Sequence, residues 1–288
     1  MNVSKYINML LANEENLSSN SFNRRVFLAA SGSSIMLSGC GGKAEPTDKL
    51  IAGEVGIVSR IRDGDAFTLD TGLSVRLAGI EAPRRAWNDR PADPFGEEAT
   101  KLLNFEAVGR KCQLFYGGLT RDRYDRAIAH AFVEDEAGQT VWLNKKMIEL
   151  GGARVRTWAD NVAHVRQLYD HERDARNSNI GLWAHSEYDV FSPNALKDAP
   201  RGLALVQGKV SKISEVLEVD SRCSVGEDGL LHLTMGLTLA RSTERIDLAV
   251  GQEIRVRSSI RREKNPDGKY EGEAYLAPDH WGQFEIVL

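Results

Sequence analysis

Cysteine and histidine are scarce in this sequence, and their spacing excludes most metal-binding and disulfide-rich classes of protein. The 288 residues contain six scattered histidines and three cysteines, Cys40, Cys112 and Cys223. No two cysteines form the C-x-x-C pair that is typical of zinc sites, so no zinc site is predicted. The number of cysteines allows a disulfide bond between Cys112 and Cys223. Both lie in apolar, strand-like surroundings, however, and there a buried free thiol is commoner.

The sequence also lacks a large excess of charge of either sign. It has 37 basic and 41 acidic side chains, which give a formal net charge of -4. A mildly acidic chain exerts no long-range attraction on a polyanion, so any binding of nucleic acid must come from local basic clusters. This argues against a high-affinity DNA-packaging role.

The apolar run near the N-terminus, residues 26–37, is too short to cross a membrane, which takes about 20 residues. It follows Arg24-Arg25 and ends in Leu37-Ser38-Gly39-Cys40, an order of charged, apolar, small and cysteine residues that is typical of an export signal. The four-residue ending resembles the bacterial lipobox, and the arginine pair resembles a twin-arginine signal. The alternative is an amphipathic N-terminal helix on a cytosolic protein.

The lipobox resemblance implies a processed and lipid-anchored protein. Residues 1–39 would be a signal peptide, Cys40 would carry the lipid, and residues 40–50 would form a flexible tether of small and polar residues. We therefore expect an exported protein that is anchored to the bacterial cell envelope on its periplasmic face. The membrane is the first predicted partner, and no obligate protein partner is predicted.

Residues 51–186 have the pattern of a small β-barrel with helices. Short β-rich runs alternate with turn signals such as Asp63-Gly64, a strong hairpin signal between apolar runs. Five strands are predicted near residues 55–62, 66–69, 73–77, 112–116 and 127–133, and five short strands indicate a closed barrel. Helical spacing is predicted for residues 94–108, 141–150 and 163–177. Trp183 is expected to pin the final turn to the barrel.

The predicted hairpins bring an acid and a base together. A hairpin centred near Thr71 pairs positions whose numbers add up to about 142, so Asp65 returns beside Arg76 and Leu77. Glu81 leaves the end of the same strand, and two carboxylates at one rim suit a hard cation such as calcium. A structural Asp–Arg pair inside a turn is the alternative.

Four sequence strings, in order and at regular spacing, resemble the staphylococcal nuclease family. The strings are Ile61-Arg62-Asp63-Gly64-Asp65, Val75-Arg76-Leu77-Ala78-Gly79-Ile80-Glu81-Ala82-Pro83, Asp122-Arg123-Tyr124-Asp125-Arg126 and Gly181-Leu182-Trp183. The resemblance covers about 130 residues. It implies a five-stranded OB-fold barrel with helices that cleaves single-stranded or denatured DNA and RNA with calcium.

The resemblance also implies a role for each matching residue. Asp65 and Glu81 would be metal ligands, assisted by the backbone carbonyl of Ala82. Arg76 and Arg126 match the positions that clamp the phosphate, and a planar guanidinium suits bidentate binding of a phosphodiester. These two arginines are the predicted catalytic residues.

Arg84 is the main departure from the family pattern, because it occupies the place of the glutamate that helps to activate water. A guanidinium cannot accept a proton at neutral pH. It adds positive charge for a phosphate instead, so Arg84 is predicted to bind substrate. Four acidic residues nearby are candidate substitute bases, although each also fits a solvated loop or the start of a helix: Asp89, Asp93, Glu97 and Glu98.

Trp158 and the departure at Arg84 leave two questions open. Trp158 lies near the family position of an aromatic residue beside the base, where stacking contributes about 1–3 kcal/mol, but a packing role is an equal alternative. The function is predicted as a calcium-dependent nuclease of reduced activity. The alternative is an inactive lipoprotein module that binds nucleic acid or protein.

The second half of the chain is predicted to be a separate all-β domain. Residues 187–202 indicate a linker, and residues 203–288 have the short alternating runs of a small barrel or sandwich, possibly OB-like. A cluster of basic residues in this domain could contact phosphate, but a solvated strand edge is the favoured interpretation. The cluster consists of Arg255, Arg257, Arg261, Arg262 and Lys264.

Overall fold

The computed structural model describes residues 47–198, 202–240, 245–263, 266–269 and 272–287. Cys40, the predicted signal peptide and most of the predicted tether lie outside this range. In the part of the chain that is described, no helix is long and apolar enough to cross a membrane. Nothing in the described range therefore tests the predicted export and anchoring.

The first half of the chain forms a mixed β-barrel and helix unit. Its elements are β1 (Ile51–Asp63), β2 (Ala66–Leu69), β3 (Ser74–Leu77), β4 (Ile80–Glu81), α1 (Gly96–Ala107), β5 (Lys111–Tyr116), β6 (Ala127–Glu134), β7 (Thr140–Trp142), α2 (Leu143–Glu149), β8 (Arg154–Val155) and α3 (Val165–Asn177). The predicted strands and helices are all present, with ends that differ by a few residues. The short strands β4, β7 and β8 were not predicted.

Five of these strands close into a barrel, as the sequence predicts. The ring order is β3-β2-β1-β5-β6, and a parallel pairing between β3 and β6 closes it in the OB-fold manner. The hairpin register is the predicted one, since Ala66 pairs with Arg76 and Thr68 pairs with Ser74. The alternation of side chains then places Phe67, Leu69 and Val75 in the barrel core.

The loop that follows β4 is held against the start of α1 by a glycine. A Cβ atom added to Gly96 would lie 2.1 Å from the backbone carbonyl oxygen of Arg84, so only glycine fits there. The helix buries Leu102 and Leu103 against the barrel core. This packing fixes the loop that carries Arg84 beside the barrel rim.

The second half of the chain forms another small barrel. Its elements are β9 (Val190–Phe191), β10 (Leu203–Glu215), β11 (Arg222–Val225), β12 (Leu231–Met235), α4 (Leu237–Ala240), β13 (Glu253–Arg262), β14 (Ala274–Leu276) and β15 (Phe284–Ile286), with 3-10 helices at Gly181–Ala184, Ser186–Tyr188, Pro193–Lys197 and Trp281–Gln283. Strands β10, β13, β14, β11 and β12 pair in a ring.

This ring corrects one expectation for the second domain, that it is OB-like. Its parallel pair joins the first and third strands of the ring in chain order, whereas the parallel pair of the first barrel joins the third and fifth strands. The second barrel is therefore not connected in the OB-fold order. Within the predicted linker, residues 187–202, the described part contains β9, which pairs with β10.

A buried seam joins the two barrels. Arg257 on β13 is 1% exposed and forms a bidentate ion pair with Glu172 on α3, at 3.0 and 2.5 Å. The Arg257 guanidinium also donates to the Val155 carbonyl of β8 at 2.9 Å. The hydroxyl of Tyr169 donates across the seam to the carbonyl of Gly282. The barrels thus share buried polar contacts.

Two side-chain predictions are settled by the packing. Trp183 packs with Tyr188 and with Leu205 of the second barrel, so it lies at the seam and does not pin the turn to the first barrel core. Cys112 and Cys223 are both buried free thiols, as expected.

Candidate functional site

A cleft of about 570 Å³ opens at the rim of the first barrel. Its lining includes every residue that the sequence predicts for the site within the described range: Asp65, Arg76, Glu81, Ala82, Arg84, Arg126 and Trp158. The two acids and the two arginines that are predicted to be catalytic therefore meet around one hollow. The predicted convergence of these side chains is present.

The β2–β3 hairpin positions Asp65 against Arg76. The backbone N–H of Leu77 donates to the carbonyl of Asp65 at 2.8 Å, and this brings the Arg76 guanidinium to 3.2 Å from the Asp65 carboxylate. The N–H of Ala82 donates to the same carboxylate at 3.2 Å. Burial raises the pKa of the Asp65 carboxyl above its ordinary value, and the positive charge of Arg76 opposes this rise.

Glu81 is already paired with two arginines that the sequence analysis missed. Strand β4 pairs with β8, so Glu81 lies opposite Arg154, whose guanidinium is 3.8 Å from its carboxylate. Arg156, just beyond β8, donates directly to the other carboxylate oxygen of Glu81. The sequence does contain a signal for these arginines: Arg154, Arg156 and Trp158 occupy alternate positions, as residues on one face of a strand do.

Arg126 is fixed by an acid in its own turn. Its Nε and Nη2 atoms both contact Asp122 Oδ2, at 2.7 and 2.6 Å. Burial works against the charge on Asp122, but the hydrogen bonds from Arg126 hold the pKa of Asp122 below its ordinary value. The parallel register pairs Arg76 with Ile128, so the Arg126 backbone lies close to the strand that carries Arg76.

Two aromatic rings border the cleft and face guanidinium groups. Trp158 lies 4.9 Å from the Arg156 guanidinium and 5.9 Å from that of Arg76, measured to the ring centroid. Tyr124, which was not predicted as a site residue, is 66% exposed and lies 5.6 Å from Arg126. Both rings offer a partly exposed face on which a nucleotide base could stack.

Arg84 lies exposed on the cleft wall, on a loop that two acids hold by their side chains. Asp93 accepts the Arg84 N–H at 3.0 Å, and Glu97 accepts the Ala86 N–H at 2.9 Å. None of the four candidate substitute bases, Asp89, Asp93, Glu97 and Glu98, is among the described residues that line the cleft. Their contacts fit the alternative interpretation as loop and helix-start carboxylates.

Asp63 is a further carboxylate that does line the cleft. Burial, followed by the negative charge of Asp65, raises its pKa above the ordinary value. Its Oδ1 atom accepts the N–H of Gly64 at 3.0 Å. Asp63 therefore places a further acid near Asp65.

The donor chemistry around Asp65 and Glu81 suits a hard cation such as calcium, which prefers carboxylate and carbonyl oxygens. Two carboxylates and the Ala82 backbone lie on one cleft wall. Among the residues described, however, no three acidic, histidine or cysteine side chains group closely enough to hold a metal ion. Backbone oxygens and water would have to complete the shell, and Arg156 would have to release Glu81.

Comparison with known proteins places residues 74–185 within a family model described as "Staphylococcal nuclease homologue". The chain is 25% identical to the thermonuclease of Staphylococcus intermedius over 144 residues, which cover 49% of this chain and 82% of the relative. It is 24% identical to the thermonuclease of Staphylococcus hyicus over 131 residues, covering 44% and 75%. It is 32% identical to the probable endonuclease LCL3 of Saccharomyces cerevisiae over 123 residues, covering 41% and 43%.

Proposed function

Because this chain contains a staphylococcal-nuclease-like domain, we propose that its cleft hydrolyses phosphodiester bonds of single-stranded or denatured DNA and RNA, with calcium. One observation carries this proposal: Asp65, Glu81, Arg76 and Arg126 line the same cleft. A single Asp–Arg pair would be an ordinary structural feature. Two acids and two partly exposed guanidiniums around one hollow match the needs of a charged phosphodiester.

The two arginines are suited to hold the phosphate. The side chains of Arg76 and Arg126 are 22% and 27% exposed, so each guanidinium is partly fixed by an acid and partly open to the cleft. Charge-assisted hydrogen bonds to phosphate oxygens strengthen as negative charge grows in the transition state. Asp65 and Asp122 restrict the two guanidinium planes, which lowers the entropy lost on binding.

Asp65, Glu81 and the Ala82 carbonyl are the residues that would hold calcium. The bound ion would supply Lewis acidity toward a phosphoryl oxygen. Trp158 and Tyr124 would hold the adjacent bases by stacking. Arg84 contributes positive charge to the cleft wall and no proton acceptor, so turnover is expected to be low by about 10²–10⁴-fold.

The test is the release of acid-soluble nucleotides from denatured DNA, measured with calcium and with a chelator. We expect slow release with calcium, none with chelator, and none from the variant Asp65→Asn, which keeps the shape of the side chain. Arg84→Glu is expected to raise the rate by at least tenfold, because it restores a carboxylate at the cleft wall. Arg166→Glu, at an exposed position on α3 outside the cleft lining, is the matched charge control and should leave the rate unchanged.

The alternative is a module that binds nucleic acid without cleaving it, and two observations favour it. Asp65 and Glu81 both have guanidinium partners, and Arg84 replaces a base with a cation. If folded wild-type protein and Arg84→Glu both release no nucleotides in calcium, the hydrolase proposal is refuted. Retained binding of an oligothymidylate in that case would support the binding module.

We also propose that the protein is exported and anchored by a lipid on Cys40. The order of arginine pair, short apolar run and Leu37-Ser38-Gly39-Cys40 supports this. Metabolic labelling with an alkyne fatty acid is expected to label wild-type protein in the bacterial envelope and to leave Cys40→Ser unlabelled. Equal labelling of both proteins, or of neither, would contradict the anchor.

A further inference from the structure

A second, smaller cavity lies at the seam between the two barrels. It has a volume of about 210 Å³. Its first wall is the segment that follows β8, with Arg156, Thr157 and Trp158, and its second wall is β13, with Ser258, Ser259 and Arg261. Neither barrel forms this crevice alone. We refer to it as the seam crevice.

The seam crevice is adjacent to the cleft. Arg156 and Trp158 line both of them, so the two hollows are neighbours. Arg156 also connects the two by its contacts. One of its nitrogens donates to Glu81 in the cleft, and Nη2 donates to Ser259 Oγ in the crevice at 3.4 Å.

The charged groups that face the seam crevice favour an anion. Three arginines and one acid, Asp279, are among the lining residues. The charge of Arg257 is neutralised by Glu172 and Glu285, and its guanidinium contacts both barrels. Arg261 is held only weakly, since its guanidinium lies 3.7 Å from the exposed carboxylate of Asp220. Burial raises the pKa of the Asp279 carboxyl, and the positive charges of His280 and Arg261 oppose this rise, so Asp279 is an acid that offsets part of the positive charge in the crevice.

This arrangement differs from the interpretation that the sequence favours for the basic cluster of β13. Strand β13 is internal to its sheet, with pairings to β10, β14 and β15, so the four arginines of the cluster do not lie on a solvated strand edge. Arg255 and Arg257 are tied to Glu285. Among the described members of the cluster, Arg261 combines exposure with a position on the crevice wall.

We propose that the seam crevice is a second phosphate subsite, in which Arg261 and Arg156 bind a backbone phosphate of the same strand that occupies the cleft. The proposal rests on the proposed function and extends it, because it assigns a role to the second barrel. The ligand is then a single-stranded nucleic acid with at least two backbone phosphates, one for the cleft and one for the crevice. A dinucleotide without terminal phosphates has only one, so it cannot fill both sites.

The test compares oligothymidylates of two and six nucleotides, with binding to the full chain measured in chelator by fluorescence anisotropy. We expect Arg261→Ala to weaken hexanucleotide binding by about three- to tenfold and Arg261→Glu to weaken it further. The slope of log affinity against log salt concentration should become shallower by the amount that about one phosphate contact contributes. Dinucleotide binding should not change. Arg222→Ala, which removes an exposed arginine of the same barrel that lines neither site, should bind both ligands as wild type does.

Two results would overturn the subsite. In the first, Arg261→Ala binds the hexanucleotide with wild-type affinity and salt dependence. In the second, it weakens dinucleotide and hexanucleotide binding equally. Both results leave the cleft proposal intact if wild-type protein binds the dinucleotide. If the folded wild-type protein binds neither oligonucleotide, the proposed function itself fails and the subsite fails with it.

Discussion

Replacing Arg257 with methionine is expected to destabilise the whole protein, because this guanidinium neutralises a buried carboxylate supplied by the other barrel. Glu172 is fully buried and receives two of its hydrogen bonds from Arg257. Removing one partner of a buried ion pair costs about 3–5 kcal/mol, since the other charge stays buried. Arg176, at 3.4 Å, and the Val155 N–H, at 2.6 Å, still contact the carboxylate, so we expect the lower end of that range.

The measurement is the free energy of unfolding in urea, with thermal melting beside it. A loss of about 3 kcal/mol corresponds to a fall in Tm of roughly 6–12 °C for a chain of this size. Adding Glu172→Gln to Arg257→Met removes the stranded charge and should recover part of the loss. Arg245→Met is the matched control, because its pair with Glu215 is exposed and should be worth less than about 1 kcal/mol.

The result that would refute this reasoning is an Arg257→Met protein within 1 kcal/mol of wild type. A separate early transition of the second barrel in the wild-type protein would also contradict it, because a shared buried seam requires the two barrels to unfold together. Recovery in the double variant is a second check. If Glu172→Gln made Arg257→Met still less stable, the stranded charge would not be the cause of the loss.

Three further predictions follow from single side chains. Arg156→Ala should bind calcium about tenfold more tightly than wild type in isothermal titration calorimetry. The reason is that calcium no longer competes with the Arg156 guanidinium for the Glu81 carboxylate. Equal or weaker binding of calcium by the variant would contradict this. Burial lowers the pKa of His130 to about 3, so the unfolded chain binds a proton between about pH 6.5 and 3 that the folded protein does not, and stability is lost as the pH falls through that window. Between pH 7 and 5 the loss from His130 is about 2 kcal/mol, and urea unfolding of His130→Phe should show a smaller fall by that amount. Burial raises the pKa of Cys112 and Cys223 to about 12, so a thiol reagent should modify neither until the protein is denatured; reaction in the native protein would show that the thiols are reached from solvent.

The parts of the fold that the sequence predicts are those that depend on neighbouring residues. The turn signal at Asp63-Gly64 and the alternation around Thr71 are local, and they predict the hairpin register that brings Asp65 beside Arg76. The closed barrel follows from the number of short strands. The convergence of acids and arginines at one rim follows from this register together with the family resemblance.

The parts that the sequence does not predict depend on contacts between distant residues. Glu81 and Arg156 are 75 positions apart, and Glu172 and Arg257 are 85 positions apart. Periodicity describes one element at a time and cannot show which elements will pair. For the same reason, the short strands β4 and β8 and the connection order of the second barrel were missed, since two-residue strands carry no alternation to detect.

The buried seam has a consequence for how this domain can be exchanged between proteins. A nuclease-like barrel bounded by residues 51 and 186 would leave the Glu172 carboxylate, the Tyr169 hydroxyl and the Val155 carbonyl without the partners that residues 257 and 282 provide. Recombination that preserves one half must preserve matching polar groups in the other. The first barrel of this chain is therefore expected to lose stability when it is separated from the second.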